Sequence, residues 1–222
     1  LGLPQGSILG PIMFLIFIND LPKSTLLYTL LFCDDTTLLA SGSNLADLVS
    51  FVNSELQKVS TWFRTNKMSL HPLKTKFTIF HPSPHLIPWN EINIYINENN
   101  IDCPFPNEQL IKKLEYVNHE SEIPAIKFLG VYFDPALTFK YHVKQLNTKL
   151  SKSLFVLRRC QKLLNPEAMR SLYYSTFHCH LIYGIIAYSS TYDSLSDVVF
   201  KQQKKAIRCI SNAKYNSHTG IL

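Results

Sequence analysis

The chain has 222 residues and a mass of 25.5 kDa, with 46% hydrophobic and 17% charged residues, enough for a buried core and too apolar for a disordered polymer. Five cysteines without a Cys-x-x-Cys pair suggest free thiols in a reducing compartment, and neither a disulfide framework nor a zinc knuckle; with no signal peptide or membrane span legible, an intracellular place, nucleus or cytoplasm, is expected. The net charge of +6 is uneven: residues 1–80 hold six Lys/Arg against five Asp/Glu, residues 81–135 three against eight, and residues 136–222 thirteen against three. A final third this basic suggests a polyanionic partner, although solvated lysine faces on amphipathic helices would give the same count.

In chain order, Gly2 to Ser7 with Leu9-Gly10-Pro11 reads as a loop in which small residues let the backbone approach a ligand. The apolar run Ile8 to Ile18 follows, short and interrupted by Gly10-Pro11, and so is expected to be a buried helix and not a membrane span. Nothing at the start reads as a signal peptide, and Leu172 to Tyr188 is too polar to span, so no membrane partner is expected. The chain begins with Leu and stops in mid-pattern at Gly220-Ile221-Leu222, which looks like a fragment.

Two short strands come next, Leu26 to Phe32 and Thr36 to Leu39, with Asp34 and Asp35 on the tight turn between them. Adjacent carboxylates repel each other, and a divalent cation relieves this; hard oxygen ligands on a rigid turn suit Mg²⁺ with bound phosphates. A solvated acidic turn is the plain alternative. Asn44 caps a helix with Asp47 in capping-box position and an apolar stripe Leu45, Leu48, Val52, Leu56, Val59 and Phe63, ending near Asn66.

Lys74 to Phe80 reads as a strand, residues 82–88 with three prolines as loop, and Ile92, Ile94 and Ile96 as a strand turning over residues 97–100. A helix is expected around Leu110, Ile111 and Leu114, then a strand from Ile126 to Phe133. From Thr138 the pattern is helical. Leu146, Leu150, Leu154 and Leu157 mark one helix face, Asn165-Pro166 starts a second helix, and Asp193 or Ser194 starts a third with Leu195, Val199, Ala206 and Ile210 on its apolar face. The expected class is α+β, with residues 1–137 forming the mixed body and residues 138–222 an all-helical appendage.

The loop Gly2-Leu3-Pro4-Gln5-Gly6-Ser7, then Asn19-Asp20-Leu21-Pro22, Phe32-Cys33-Asp34-Asp35, Asn66 to Leu70 leading to Lys74-Thr75-Lys76, and Lys127 to Val131 follow one another at spacings that strongly resemble a reverse transcriptase of the non-LTR retrotransposon type. The resemblance covers nearly the whole chain and is weakest at residues 98–122. It implies a partial polymerase palm, an antiparallel sheet with packed helices, followed by a thumb-like helical region. It also implies RNA-directed DNA polymerisation by two-metal nucleotidyl transfer, with Mg²⁺ as cofactor and an RNA template, a DNA primer and a dNTP as partners.

Carried over residue by residue, Asp34 and Asp35 are metal ligands. Pro4, Gln5, Gly6 and Ser7 belong to the loop beneath the template base and nucleotide. Lys74 approaches the triphosphate, with a surface lysine as the bland alternative. Phe128, Leu129, Gly130 and Val131 form the primer-grip hairpin, or an ordinary core strand. Lys144, Lys149, Lys152, Arg158 and Arg159 track the duplex backbone.

In that family a further metal-binding aspartate, on a strand with the fingers region, precedes the Gln5-Gly6 loop. Without it the chain is expected not to polymerise by itself, and to show an unpaired sheet edge and an exposed apolar face. Cys33 stands where Ala is more usual. Two other readings remain: a non-catalytic nucleic-acid-binding protein from a decayed mobile element, and a plain interaction module whose acid pair is incidental. His178-Cys179-His180 and Trp62-Phe63 read as packing groups.

Overall fold

The computed structural model describes residues 7–68, 70, 74–98, 110–189 and 191–213. Helices and small sheets alternate first and helices alone follow, an α+β chain divided into two compact units. One holds residues up to Phe77 together with Pro88–Tyr116; the other holds Thr78–Ile87 and everything from Val117.

In the first unit helix α1 (Leu9–Ile18) is apolar on every side, yet only Ile18 is buried. Ile8, Leu9, Ile12, Met13, Leu15, Ile16 and Phe17 are all exposed, so the buried helix expected from the sequence is corrected. A helix that is apolar all round lacks a polar face to give to water, and here Ile18 and Phe14 alone of its large side chains join a core cluster. Strands β1 (Tyr28–Phe32) and β2 (Asp35–Leu39) pair antiparallel with each other and with no third strand among the described residues.

Helix α2 (Leu45–Thr65) starts as its sequence dictates: Asn44 Oδ1 accepts the Ala46 N–H at 2.9 Å, and Asn66 ends it. Its stripe packs Val59 and Phe63 against Ile18 and Leu21, with Leu31 and Leu38 of the hairpin against the same cluster. Asn53 ties α2 to the next sheet, donating to Asn93 O and accepting from the Tyr95 N–H, both at 2.9 Å.

The strand expected over residues 74–80 shrinks to β3 (Lys76–Phe77). After it, Thr78 Oγ1 donates to Val117 O and the His81 N–H to Pro135 O, so the backbone makes single ties in place of a ladder. Strand β4 (Tyr95–Glu98) starts later than the strand expected from Ile92; Ile96 within it and Ile92 and Ile94 ahead of it are all buried. The helix expected near residue 110 is instead strand β5 (Leu110–Lys113), antiparallel to β4. The ladder continues past it where the Leu114 N–H donates to Ile94 O at 2.8 Å, so pairing of β4 overrides the local pattern. Strand β6 (Glu115–Tyr116) pairs parallel with β3.

In the second unit the single strand expected over residues 126–133 folds back on itself as β7 (Ile126–Phe128) and β8 (Val131–Phe133). Helix α3 (Lys140–Cys160) buries Leu146, Leu150, Leu154 and Leu157, the predicted face. The two residues that lead into it are fixed by Asp134, which accepts the Thr138 N–H at 2.9 Å through Oδ1 and the Phe139 N–H at 2.6 Å through Oδ2. Asn165 caps α4 (Pro166–Tyr173), accepting the Ala168 N–H at 2.8 Å.

A π-turn, Tyr174–His178, leads into α5 (Cys179–Ile182), and Gly184 at φ 70° separates it from α6 (Ile185–Tyr188). Ser153 of α3 donates to Thr176 O at 2.7 Å, satisfying a carbonyl in the widened turn. Helix α7 (Asp193–Ile210) lays Val199, Ala206 and Cys209 onto the core that α3 shares. Compactness therefore divides the chain elsewhere than at residue 137, because the β7–β8 hairpin belongs with the helices. No helix among the described residues is long and apolar enough to cross a membrane.

Candidate functional site

The acid pair sits on a hairpin whose register is complete from Tyr28↔Leu39 to Phe32↔Asp35. Only Cys33 and Asp34 lie between the strands, so Asp34 is in the turn while Asp35 opens β2, one residue further into the ladder than the sequence reading placed it. Cys33 takes the left-handed φ of 51° that lets the two-residue turn close. Both carboxylates are exposed.

Cross-strand partners share a face, so Asp35 stands on the side of Phe32, opposite the side on which Leu31 and Leu38 pack into the core. Phe32 is 58% exposed and Tyr28 and Leu39 are also open, with Leu30 and Thr37 half-buried between them, so the Asp35 face of the hairpin is open at both ends.

The base of this hairpin is fixed by a residue outside the sequence motifs. Glu55, 2% exposed, accepts the Thr25 hydroxyl at 2.9 Å and the Leu26 N–H at 2.6 Å through Oε2, and pairs with Lys58 at 2.5 Å through Oε1. The Lys58 ammonium first, and the Leu26 amide next, hold its carboxyl below the ordinary carboxylate range. A signal was present: Glu55 falls between Val52 and Val59 on the apolar stripe of α2, where a charge must find partners.

Of the other expected residues in this unit, Pro4, Gln5 and Gly6 lie outside the described residues, and Ser7 is half-buried just before α1. Lys74 is exposed two residues before β3, and no hydrogen bond or ion pair joins it to Asp34 or Asp35. Two adjacent carboxylates are the hard oxygen donors that Mg²⁺ takes. The described residues gather no group of three or more His, Cys, Asp or Glu, so they fit one side of a divalent-cation site and not a complete two-cation site.

In the second unit, Phe128 and Val131 end the two strands and Leu129-Gly130 make the turn, with φ of 45° and 87°. This turn is clasped. The Tyr183 hydroxyl donates to Leu129 O, and a Cβ on Gly130 would stand 3.1 Å from the Tyr183 ring. A Cβ on Gly184 would stand 2.6 Å from Val131 Cγ2, so both glycines permit close approach as well as a positive φ. Tyr183 and Gly184 were missed in the sequence; a glycine breaking the helical run after residue 166 was the available signal.

Lys144, Lys149, Lys152, Arg158 and Arg159 are all exposed on α3, off its buried face. At about 100° per residue Lys149 and Arg158 stand on opposite flanks, so one duplex does not meet all five at once. Arg159 lies over the Phe155 ring at 5.5 Å, and on α7 Lys204 lies over Phe200 at 4.2 Å. Cys33, Cys160, Cys179 and Cys209 are free thiols.

Comparison with known proteins places these features. The chain is 25% identical over 234 residues to a probable RNA-directed DNA polymerase from transposon BS of Drosophila melanogaster, covering 96% of this chain and 22% of that protein. It is 24% identical to the RNA-directed DNA polymerase from mobile element jockey of the same species, covering 98% and 22%. It is 23% identical over 161 residues to the retrovirus-related Pol polyprotein from type-1 retrotransposable element R1 2 of Nasonia vitripennis, covering 71% and 35%. The chain thus spans about 22% of the length of the first two of these relatives. No solved structure matches. The family model described as reverse transcriptase (RNA-dependent DNA polymerase) matches residues 1–133, which include the acidic hairpin and the Leu129-Gly130 turn, and the first two relatives are RNA-directed DNA polymerases of a transposon and a mobile element; the chain belongs to the reverse transcriptase family.

Proposed function

We propose that the chain is the palm and thumb portion of an RNA-directed DNA polymerase that joins a dNTP to a primer 3′-hydroxyl on an RNA template. The observation that carries this reading is the pair Asp34 and Asp35 at the open end of a hairpin in complete register, inside the segment that matches the family. In this reading the two carboxylates present oxygens to divalent cations. When bound, such cations acidify the attacking hydroxyl and neutralise charge on the departing pyrophosphate.

The chain's own contributions are positional. Glu55 fixes the strand that leads to the acid pair. Pro4, Gln5, Gly6 and Ser7 support the template base and nucleotide, and Lys74 delivers a proton to the leaving group. Phe128 to Val131 hold the primer end, and those cations of α3 that share a flank follow the duplex backbone. Asp34 and Asp35 supply part of a two-cation ligand set, and we infer that primer extension needs a further carboxylate beside them.

The test pairs two measurements on the 222-residue chain. Primer extension with Mg²⁺ is expected to give no product. Binding to an RNA–DNA primer–template is expected to weaken steeply with salt, with log Kd rising roughly 0.9 per decade of salt for each phosphate contacted. Salt-independent binding would remove the thumb assignment. The alternative, a non-catalytic nucleic-acid binder, predicts that Asp34→Asn leaves Mg²⁺-dependent binding of a dNTP unchanged, whereas the polymerase reading predicts its loss.

A further inference from the structure

The acidic hairpin turns its more apolar face to solvent. Extended backbone alternates sides, so Thr25, Leu27, Thr29 and Leu31 share one face of β1 and its lead-in, with Thr36 and Leu38 beside them on β2. Leu26, Tyr28, Leu30 and Phe32 share the other face, with Asp35, Thr37 and Leu39. The first face, three leucines and three threonines, is the one whose Leu31 and Leu38 pack against Ile18, Val59 and Phe63. The second carries five large apolar side chains, of which Leu26, Tyr28, Phe32 and Leu39 are exposed, Leu26 to 76%. Hydrophobic burial alone therefore favours the hairpin turned over, with Asp35 against the core.

What opposes this is polar and directional. Glu55 Oε2 accepts the Thr25 hydroxyl at 2.9 Å and the Leu26 N–H at 2.6 Å, and Thr25 Oγ1 in turn accepts the Leu27 N–H at 3.1 Å. Glu55 and Thr25 are 2% and 8% exposed. One carboxylate oxygen thus fixes two consecutive backbone donors, the first directly and the second through the threonine. In a turned-over hairpin position 26 takes the place of position 25, and leucine offers the buried carboxylate no hydroxyl.

We propose that Glu55 and Thr25 select which face of the acidic hairpin is buried, and so keep Asp35 on the open side. Glu55 is then a positioning residue for the acid pair and not only a brace for its strand. That Asp35 meets a cation rests on the function proposed above; the choice of face does not.

The 222-residue chain provides the test by NMR with an uncharged gadolinium chelate in the solvent, which attenuates exposed side chains. In the unsubstituted chain the Tyr28 and Phe32 rings are expected to be attenuated, and the Leu31 and Leu38 methyls spared. Glu55→Leu makes the buried site apolar, suited to Leu26, and is expected to spread attenuation to Leu31 and Leu38 while shielding Phe32. Glu55→Gln keeps an acceptor for Thr25 and Leu26 and is expected to restore the original pattern. Lys58→Met, which removes only the ion pair, is expected to keep it. If Glu55→Leu does not fold, Thr25→Val carries the same measurement, since it removes the hydroxyl and keeps the shape.

A Mn²⁺ titration of the same chains reads the consequence. Apparent affinity is expected to fall about threefold when two thirds of the chains bury Asp35, because binding scales with the competent fraction. A Glu55→Leu or Thr25→Val chain that melts lower but keeps Tyr28 and Phe32 as the attenuated pair would overturn the proposal, leaving the clamp as support alone. Faces that exchange while Mn²⁺ affinity stays constant would keep the selection of face and overturn Asp35 as a cation ligand.

Discussion

The two hairpins of this chain solve the same problem in opposite ways. The acidic hairpin has five paired positions, is fixed at its base by Glu55 and on one face by Leu31 and Leu38, and leaves its turn exposed. The β7–β8 hairpin has three paired positions, too few to persist alone, and is held at its turn by Tyr183 and Gly184. The acidic turn is anchored at its far end, and the Leu129-Gly130 turn is anchored at the turn itself. The difference assigns separate mutational consequences to each.

The largest effect is expected at the clasped turn. Gly184→Ala puts a Cβ 2.6 Å from Val131 Cγ2 at φ 70°, and left-handed strain plus overpacking is expected to cost about 2–4 kcal/mol in urea unfolding. Val131→Ala in the same chain should return part of that loss, because it removes the opposing methyls; no recovery would show that the clasp acts through φ alone.

Tyr183→Phe removes only the hydroxyl donated to Leu129 O, with an expected cost of about 1 kcal/mol.

At the base of the acidic hairpin the consequence is a pH dependence. Glu55 has a lowered carboxyl pKa in the folded chain, so its contribution is fully present above the ordinary carboxylate range and is lost as the pH falls through that range and below. Glu55→Gln should melt below the unsubstituted chain at pH 7, and the gap should close on acidification. A gap of constant size between pH 7 and pH 3 would mean that the carboxylate charge is irrelevant to the clamp.

The sequence disclosed elements wherever local chemistry and burial agree. Asn44 and Asn165 cap the helices they precede, the leucines of α3 are buried, and the acidic hairpin pairs as its flanks require. It misled where tertiary pairing decides. Leu110–Lys113 is strand because β4 offers an edge, and residues 126–133 fold in two because Gly130 takes a positive φ beside Tyr183. The apolar run over Leu9–Ile18 gave a helix but not its cover.

At the site, Asp34 and Asp35 were legible as a pair, because adjacent acids between strands are conspicuous. Glu55, Asp134 and Tyr183 were not, since each acts on backbone 29, 4 or 54 positions away in the chain. Adjacent residues of one type are conspicuous in a sequence; a residue that holds distant backbone is not.

The smallest effect separates backbone from side chain within the acidic turn. Cys33 alone of its two central residues has a positive φ, the place glycine fills in favoured two-residue turns. Left-handed strain of about 1–2 kcal/mol is relieved by glycine, less about 0.5–1 kcal/mol for its greater freedom in the unfolded chain. Cys33→Gly is therefore expected to stabilise by about 0.5–1 kcal/mol in urea unfolding. Cys33→Ala keeps the strain and loses only an exposed thiol, so it should change stability by less than about 0.5 kcal/mol. If Cys33→Gly failed to stabilise and Cys33→Ala destabilised, the thiol and not the φ angle would be what the position selects. The turn would then be shaped by a side-chain contact, and Asp34 and Asp35 would depend on that contact as well as on their register.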